Sequence, residues 1–366
     1  MKKQGINEIT LVQYTFLIHG MQIGVGMLSL PSALAEKGGT DGWIALFVGW
    51  LASLTASILI IQLMKRYPDC TLPELLSRIM GKWAGKAAYL FFGLYYALFA
   101  YTVLARMSLH IESWILQQSN ASIFFLLFCI PTYMIARKGL RILGRYAEFI
   151  FLFSLWMLYM FLLPLREAHW LHILPILKDG MLPVVDAIPS TLLSFLGFEA
   201  AFFFYAGLNK KKHAVKGMVI ANTLTLLVYV MVTIVCFVFF SPDDISSYHE
   251  PVISLLKVIE FRFVERVDII VFSGYLLIVS TTWIPSIHIA TSCASQLFGS
   301  RKFTRTLLIL LGIGCIIVFG HGPTFIKNNE LIKLLNIYGF IAAFALPLLL
   351  WLLVAALRLR KGGLTP

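Results

Sequence analysis

Ten stretches of this chain are apolar for long enough to approach or exceed the width of a bilayer core, which takes about 20 residues of helix. They fall near residues 10–35, 42–64, 87–116, 121–136, 146–164, 184–207, 215–240, 267–298, 304–320 and 331–357, the fourth and ninth being short. In hydrocarbon every backbone N–H and C=O must be satisfied within the segment, so such stretches must be helices. Composition agrees. The 366 residues are 59% hydrophobic and only 13% charged, with a mean hydropathy of +0.84, whereas a soluble domain is about 25% charged. The expectation is an all-α polytopic membrane protein with ten transmembrane helices, forming a single integral membrane domain over residues 1–366.

The net charge of +12 would suit nucleic acid if it were clustered, but its placement follows the membrane. With both termini cytoplasmic, the inside segments carry Lys2 and Lys3, Lys65 to Lys86, Arg137 to Arg145, Lys210 to Lys216, Arg301 to Arg305 and Arg358 to Lys361. These are most of the 30 lysines and arginines. The outside loops hold Glu36, Asp41, Asp179, Asp243, Asp244 and Glu250. This is the positive-inside pattern, so the basic charge marks topology and no nucleic-acid partner is expected. The lipid bilayer is the surrounding partner, and no cleavable signal peptide is apparent.

Soluble-enzyme signatures fail. "GKWAGK" (Gly81 to Lys86) has three residues between its glycines and no Ser or Thr after Lys86, so it is no P-loop. HExxH and GxSxG do not occur, and Cys70, Cys129, Cys236, Cys293 and Cys315 form no CxxC pair. The expectation is a protein that is not an enzyme, with no cofactor and no metal. Two short amphipathic helices are expected at the membrane surface, one with Leu72, Leu75, Leu76 and Ile79 on a face, another through Ile253, Leu256 and Ile259 or Glu260.

The first apolar segment contains "QIGVGMLSLP", Gln22 to Pro31. A transmembrane helix loses regular hydrogen bonding only where protein or a water-filled cavity satisfies the freed groups. The glycines predict a departure from helical geometry over Ile23–Met27, although Gly20 and Gly24 equally form a GxxxG packing pair. Segment six, "IPSTLLSFLGFEAAFFFYAGL" (Ile188 to Leu208), places Gly197 at mid-depth beside the intramembrane carboxylate Glu199, and ionisable groups at that depth are functional candidates. Each segment opens a set of five, and the two sets run in opposite senses. That is the pattern of a 5+5 inverted repeat with broken helices 1 and 6 and a site at the midplane, the repeats covering about 9–165 and 183–358. Glu199 could carry a proton, pair with Arg106, or brace the break; Arg106 could also pair with Glu112. Phe99, Tyr101 and Thr102 in segment three and Ser280, Thr281 and Thr282 in segment eight lie near mid-depth. Such hydroxyls help hold sodium in some transporters but also bond back to helix carbonyls, and no carboxylate accompanies them.

"GVGMLSLP", "DGWI" (Asp41 to Ile44), "LPELL" followed by "GKWAGK", and "SFLGFE" (Ser194 to Glu199) together resemble the spore germination permeases, the B subunits of nutrient germinant receptors. The resemblance runs from the Gln13 region to the basic C-terminus. It implies an amino acid–polyamine–organocation fold, residence in the spore inner membrane, and A-type and C-type (lipoprotein) subunits as partners. It also implies a nutrient pocket lined by Gly24, Gly26, Phe99, Leu196, Gly197 and Thr281 or Thr282. With the flanking Val25, Met27, Tyr101 and Phe198 these form the candidate ligand-binding set, and Glu199 and Arg106 are the structural or proton-linked candidates. The expected function is binding of a small nutrient, an amino acid, that triggers germination. A proton-coupled amino acid permease and a channel-forming subunit are the alternatives.

Overall fold

Thr10 opens the first helix. Its hydroxyl accepts from the Gln13 N–H at 3.2 Å, and the Gln13 side chain accepts from the Thr10 N–H at 3.1 Å, a reciprocal cap. The computed structural model describes residues 8–259, 266–299 and 302–361. After α1 (Leu11–Ile23) come α2 (Gly26–Gly38), α3 (Ala45–Met64), the short α4 (Leu72–Met80), α5 (Lys82–His110), α6 (Ala121–Ala136), α7 (Leu140–Leu162) and α8 (Leu182–Ser194). The chain continues through α9 (Ala201–Phe204), α10 (Ala214–Phe239), α11 (Pro242–Ser247), α12 (Pro251–Leu256), α13 (Val267–Leu297), α14 (Phe303–His321), α15 (Phe325–Phe340) and α16 (Leu346–Lys361).

Eight stretches among the described residues are long and apolar enough to cross a membrane, where the sequence leads one to expect ten. The difference has a physical origin. The break leaves α1 with only 13 residues, α2 runs into α3 through a tight turn at Gly39–Ile44, and α6 has 16 residues. Several helices also begin before their apolar stretch does. α5 starts at Lys82 and α7 at Leu140, as a helix end can when long Lys and Arg side chains carry their charges to the membrane surface.

Of the two surface helices expected, α4 forms, capped by Thr71 and Glu74. Its apolar face is not left to lipid: Leu72, Leu75 and Leu76 are buried and the helix packs on α5. The second is only the six-residue α12, with Ile253 and Leu256 buried; Glu260 lies outside the described residues, as do Lys2, Lys3 and Arg301.

α1 is the central helix, packed against α7, α10 and α13, while α2 lies on α8 and α5 runs along α13. Loops gather at two ends. At one, the Ile9 N–H donates to Gly207 O at 2.9 Å, the Asn209 N–H donates to Ile9 O at 3.1 Å, and Lys211 Nζ stands 2.7 Å from Asp69. At the other, the buried Asp41 accepts from the Leu177 N–H with both oxygens at 3.0 Å, and Arg106 meets Glu250. Loops assigned to one side of the bilayer by charge thus share one end of the fold.

Candidate ligand-binding site

The first break is confined to Gly24 and Val25. α1 ends at Ile23, Gly24 takes φ +31°, and α2 begins at Gly26, so helical geometry resumes earlier than Met27. The second falls at Phe195–Gly197, where Gly197 at φ +123° enters a single tight turn, Phe198–Ala200, before α9. A side chain at such a φ is strained. The two breaks touch: a Cβ on Gly197 would stand 2.6 Å from the Met21 carbonyl and 2.9 Å from Gln22 N.

Side chains satisfy the carbonyls that the breaks set free. Tyr229 Oη lies 2.7 Å from Gln22 O and 2.9 Å from Ser194 O, bridging both breaks. Tyr275 Oη donates to Gly24 O at 2.8 Å, and Thr282 Oγ1 to Gly20 O at 2.8 Å. Gln22 reaches across as well, its amide donating to Phe195 O and to Asn222 Oδ1 at 3.0 Å each. Glu199, fully buried, accepts from the Gly197 N–H and from Tyr95 Oη, both at 2.7 Å. These two bonds span the second break as a brace would.

Beside the breaks lies a cavity of about 1020 Å³. Gln22, Gly24, Val25 and Gly26 form its floor, and α5 supplies a wall of Tyr95, Phe99, Thr102, Val103 and Arg106. Leu193, Ser194 and Leu196 close the α8 side, and Asn329, Lys333 and Asn336 line the α15 side. At its mouth Arg106 Nε stands 3.5 Å and His110 Nε2 3.1 Å from Glu250 Oε1, with the Arg106 guanidinium 5.2 Å from the Phe325 ring centre. Burial acts to raise the Glu250 pKa, but the contact with His110 and the charges of His110 and Arg106 outweigh it and hold the carboxyl below its ordinary value.

Gly24, Val25, Gly26, Phe99, Leu196 and Arg106 therefore line the cavity, and the other candidates do not. Tyr101 sits two residues past Phe99, about 200° around the helix, and lines a separate apolar cleft. Met27 is turned from Gly26 into the core, 2% exposed, and Phe198 is wholly buried. Gly197 is pressed on α1. Thr281 and Thr282 spend their hydroxyls on Ile278 O and Gly20 O, and Gly20 packs against Thr281, so the small-residue contact and the break occupy successive turns of one helix. Arg106 pairs with Glu250, not with Glu199 or Glu112; Glu199 is fully buried and bonded to Tyr95.

Thr102, placed near mid-depth by the sequence, also lines the cavity, whereas Ser29, Trp114, Glu250 and the α15 asparagines are cavity residues that sequence reasoning passed over. A signal existed in the helical spacing of Tyr95, Phe99, Thr102, Val103 and Arg106, which is one face of α5, and in asparagines seven apart in an apolar span.

Residues 8–322 match the family described as "Spore germination protein". The chain is 25% identical over 356 residues to spore germination protein GerQB of Bacillus cereus, covering 94% of this chain and 96% of that one. It is 27% identical over 364 residues to YndE of Bacillus subtilis (strain 168), covering 98% of both. Among solved structures it is similar to MhsT in complex with L-phenylalanine, with a TM-score of 0.67 and 13% identity over 94% of this chain and 88% of that one. A Na+-coupled sialic acid symporter gives a TM-score of 0.68 and 11% identity over 93% and 80%. At these identities the structural likeness establishes the fold: an inverted-repeat helical membrane protein of the transporter type.

Proposed function

Because the chain belongs to the spore germination protein family, we propose that it is the membrane subunit of a spore nutrient receptor, binding a small germinant in the cavity at the breaks and so triggering germination. The observation that carries this reading is the floor of the cavity. α2 begins there with no side-chain cap, and a Cβ on Gly26 would find no atom within 4 Å. Uncapped N–H groups at a helix start favour an anion such as a carboxylate. Gln22 and Ser194 line the same cavity, and the carbonyl of each, in contact with Tyr229, has a second lone pair that can accept from an ammonium. Val25, Phe99, Val103, Leu193 and Leu196 offer apolar walls to a side chain. These surroundings suit an α-amino acid, and a protein of this fold, MhsT, has a crystal structure in complex with L-phenylalanine.

On this reading the receptor also contains A-type and C-type lipoprotein subunits and resides in the spore inner membrane with both termini cytoplasmic. The nutrient must bind the active state more tightly than the resting state, since equal affinity shifts nothing. Spores carrying Gly26→Leu test the site: the nutrient response is lost while the receptor still assembles. Normal germination at unchanged nutrient concentration rejects it.

The transporter fold favours one second reading, a proton-coupled amino acid permease. Proteoliposomes holding this chain alone discriminate. Accumulation of labelled amino acid against a gradient supports the permease, and binding without accumulation supports the receptor.

A further inference from the structure

Behind α5, on the face opposite the nutrient cavity, runs a second cleft of about 600 Å³ between α5, α6, α13, α14 and α15. Its walls are apolar, from Leu94 and Ala97 to Ala105 on α5 and from Leu310 to Ile317 on α14. The α5 wall spans the twelve residues Leu94 to Ala105, about 17 Å at 1.5 Å per residue, which suits most of one extended hydrocarbon chain. α14 is lipid-facing, with Ile309, Ile313 and Ile317 exposed, so the cleft opens to the bilayer.

Its mouth is polar in a particular way. Lys327 and Glu330 both line it, three residues apart on α15, a spacing that puts them on one helix face. Lys327 Nζ donates to His321 O at 2.9 Å, and among the described residues Glu330 has no ion-pair partner. Between them Asn328 is 3% exposed; its Nδ2 donates to Thr102 O at 3.0 Å, while its buried Oδ1 has no partner among the described residues.

We propose that this cleft is a specific phospholipid site that holds one acyl chain along α5 and an ethanolamine headgroup at its mouth. The phosphate faces Lys327, the ammonium faces Glu330, and an ammonium N–H satisfies Asn328 Oδ1. Other common headgroups fit less well. A choline head has no N–H to donate, and a phosphoglycerol head brings no cation for Glu330. The site stands apart from the nutrient cavity and does not depend on the function proposed for it.

The test is native mass spectrometry of the full chain after reconstitution in an equimolar mixture of phosphatidylethanolamine, phosphatidylglycerol and phosphatidylcholine, followed by return to detergent. One phosphatidylethanolamine is retained, about tenfold over either competitor. Ala97→Trp, which fills the cleft, abolishes retention, and Glu330→Lys turns the preference toward phosphatidylglycerol. Thermal unfolding in the same detergent verifies that each variant is folded, and since Glu330 is exposed its variant alone suffices if Ala97→Trp does not fold. Equal retention of the three lipids, no retained lipid, or a phosphatidylethanolamine preference unchanged in Glu330→Lys overturns the proposal.

Discussion

Gly197 and Met21 meet backbone to backbone: a Cβ on Gly197 would stand 2.6 Å from both the carbonyl carbon and the oxygen of Met21. The second break is thus seated on the end of α1, and neither break is an isolated weakness of its own helix. Gly197→Ala combines a strained φ with a backbone clash, so the helices must separate. The folded protein is expected to be lost or to unfold well below wild type, as read by thermal unfolding in detergent. Gly26→Ala, with open space around its Cβ, is expected to unfold near the wild-type temperature.

Glu199 holds two donors that nothing else in the described structure satisfies, the Gly197 N–H and the Tyr95 hydroxyl. Glu199→Ala orphans both, at about 1–3 kcal/mol for each buried group. Glu199→Gln keeps one acceptor and allows the Tyr95 hydroxyl to turn and accept. The unfolding temperature is therefore expected to fall in the order wild type, Gln, Ala.

Tyr229 ties the two breaks through one hydroxyl. Tyr229→Phe preserves shape and removes only that tie, so a loss of about 1–2 kcal/mol is expected. Hydrogen exchange at Ser194–Gly197 and Ile23–Gly26 should speed up together. Acceleration at one break alone would mean that the bridge does not couple them.

The Glu250 carboxyl at the mouth titrates below its ordinary value of 4.5 in the folded chain. A group depressed by folding stabilises the structure above its unfolded pKa and loses that contribution as pH falls through the folded one. The attachment of the α11–α12 loop to α5 is therefore expected to hold near neutrality and to loosen only below about pH 4.5. Limited proteolysis of residues 241–259 across pH checks this, and Glu250→Gln is expected to be cleaved at neutral pH as the wild type is in acid.

Much of the fold was legible because hydrocarbon leaves few choices. Apolar length forces helices, charge alternation orders the loops, and Gly24 and Gly197 mark where helices cannot continue. The intramembrane carboxylate of Glu199 was visible as an expensive residue, though not its bond to Gly197. The lining was less legible, since rotation about a helix decides it. Phe99 and Tyr101 are equally apolar in the sequence, yet they face different cavities on opposite sides of α5. Likewise Thr281 and Thr282 read either as ligand hydroxyls or as groups bonded to helix carbonyls, and only the fold shows Ile278 O and Gly20 O taking them. Glu250 was assigned to an outside loop, and only the tertiary fold brings it to Arg106.

The central claim is that the floor between Gln22 and Gly26 receives a nutrient, and binding to the purified chain tests it most directly. The twenty amino acids are screened by thermal shift, and those that stabilise are carried to equilibrium binding with the wild type and Gly26→Leu. At least one amino acid is predicted to bind the wild type saturably, and to lose about a hundredfold or more in affinity for the folded variant, roughly 2.7 kcal/mol. Binding of equal strength to Gly26→Leu, or the absence of binding by any amino acid to the folded wild type, would contradict it.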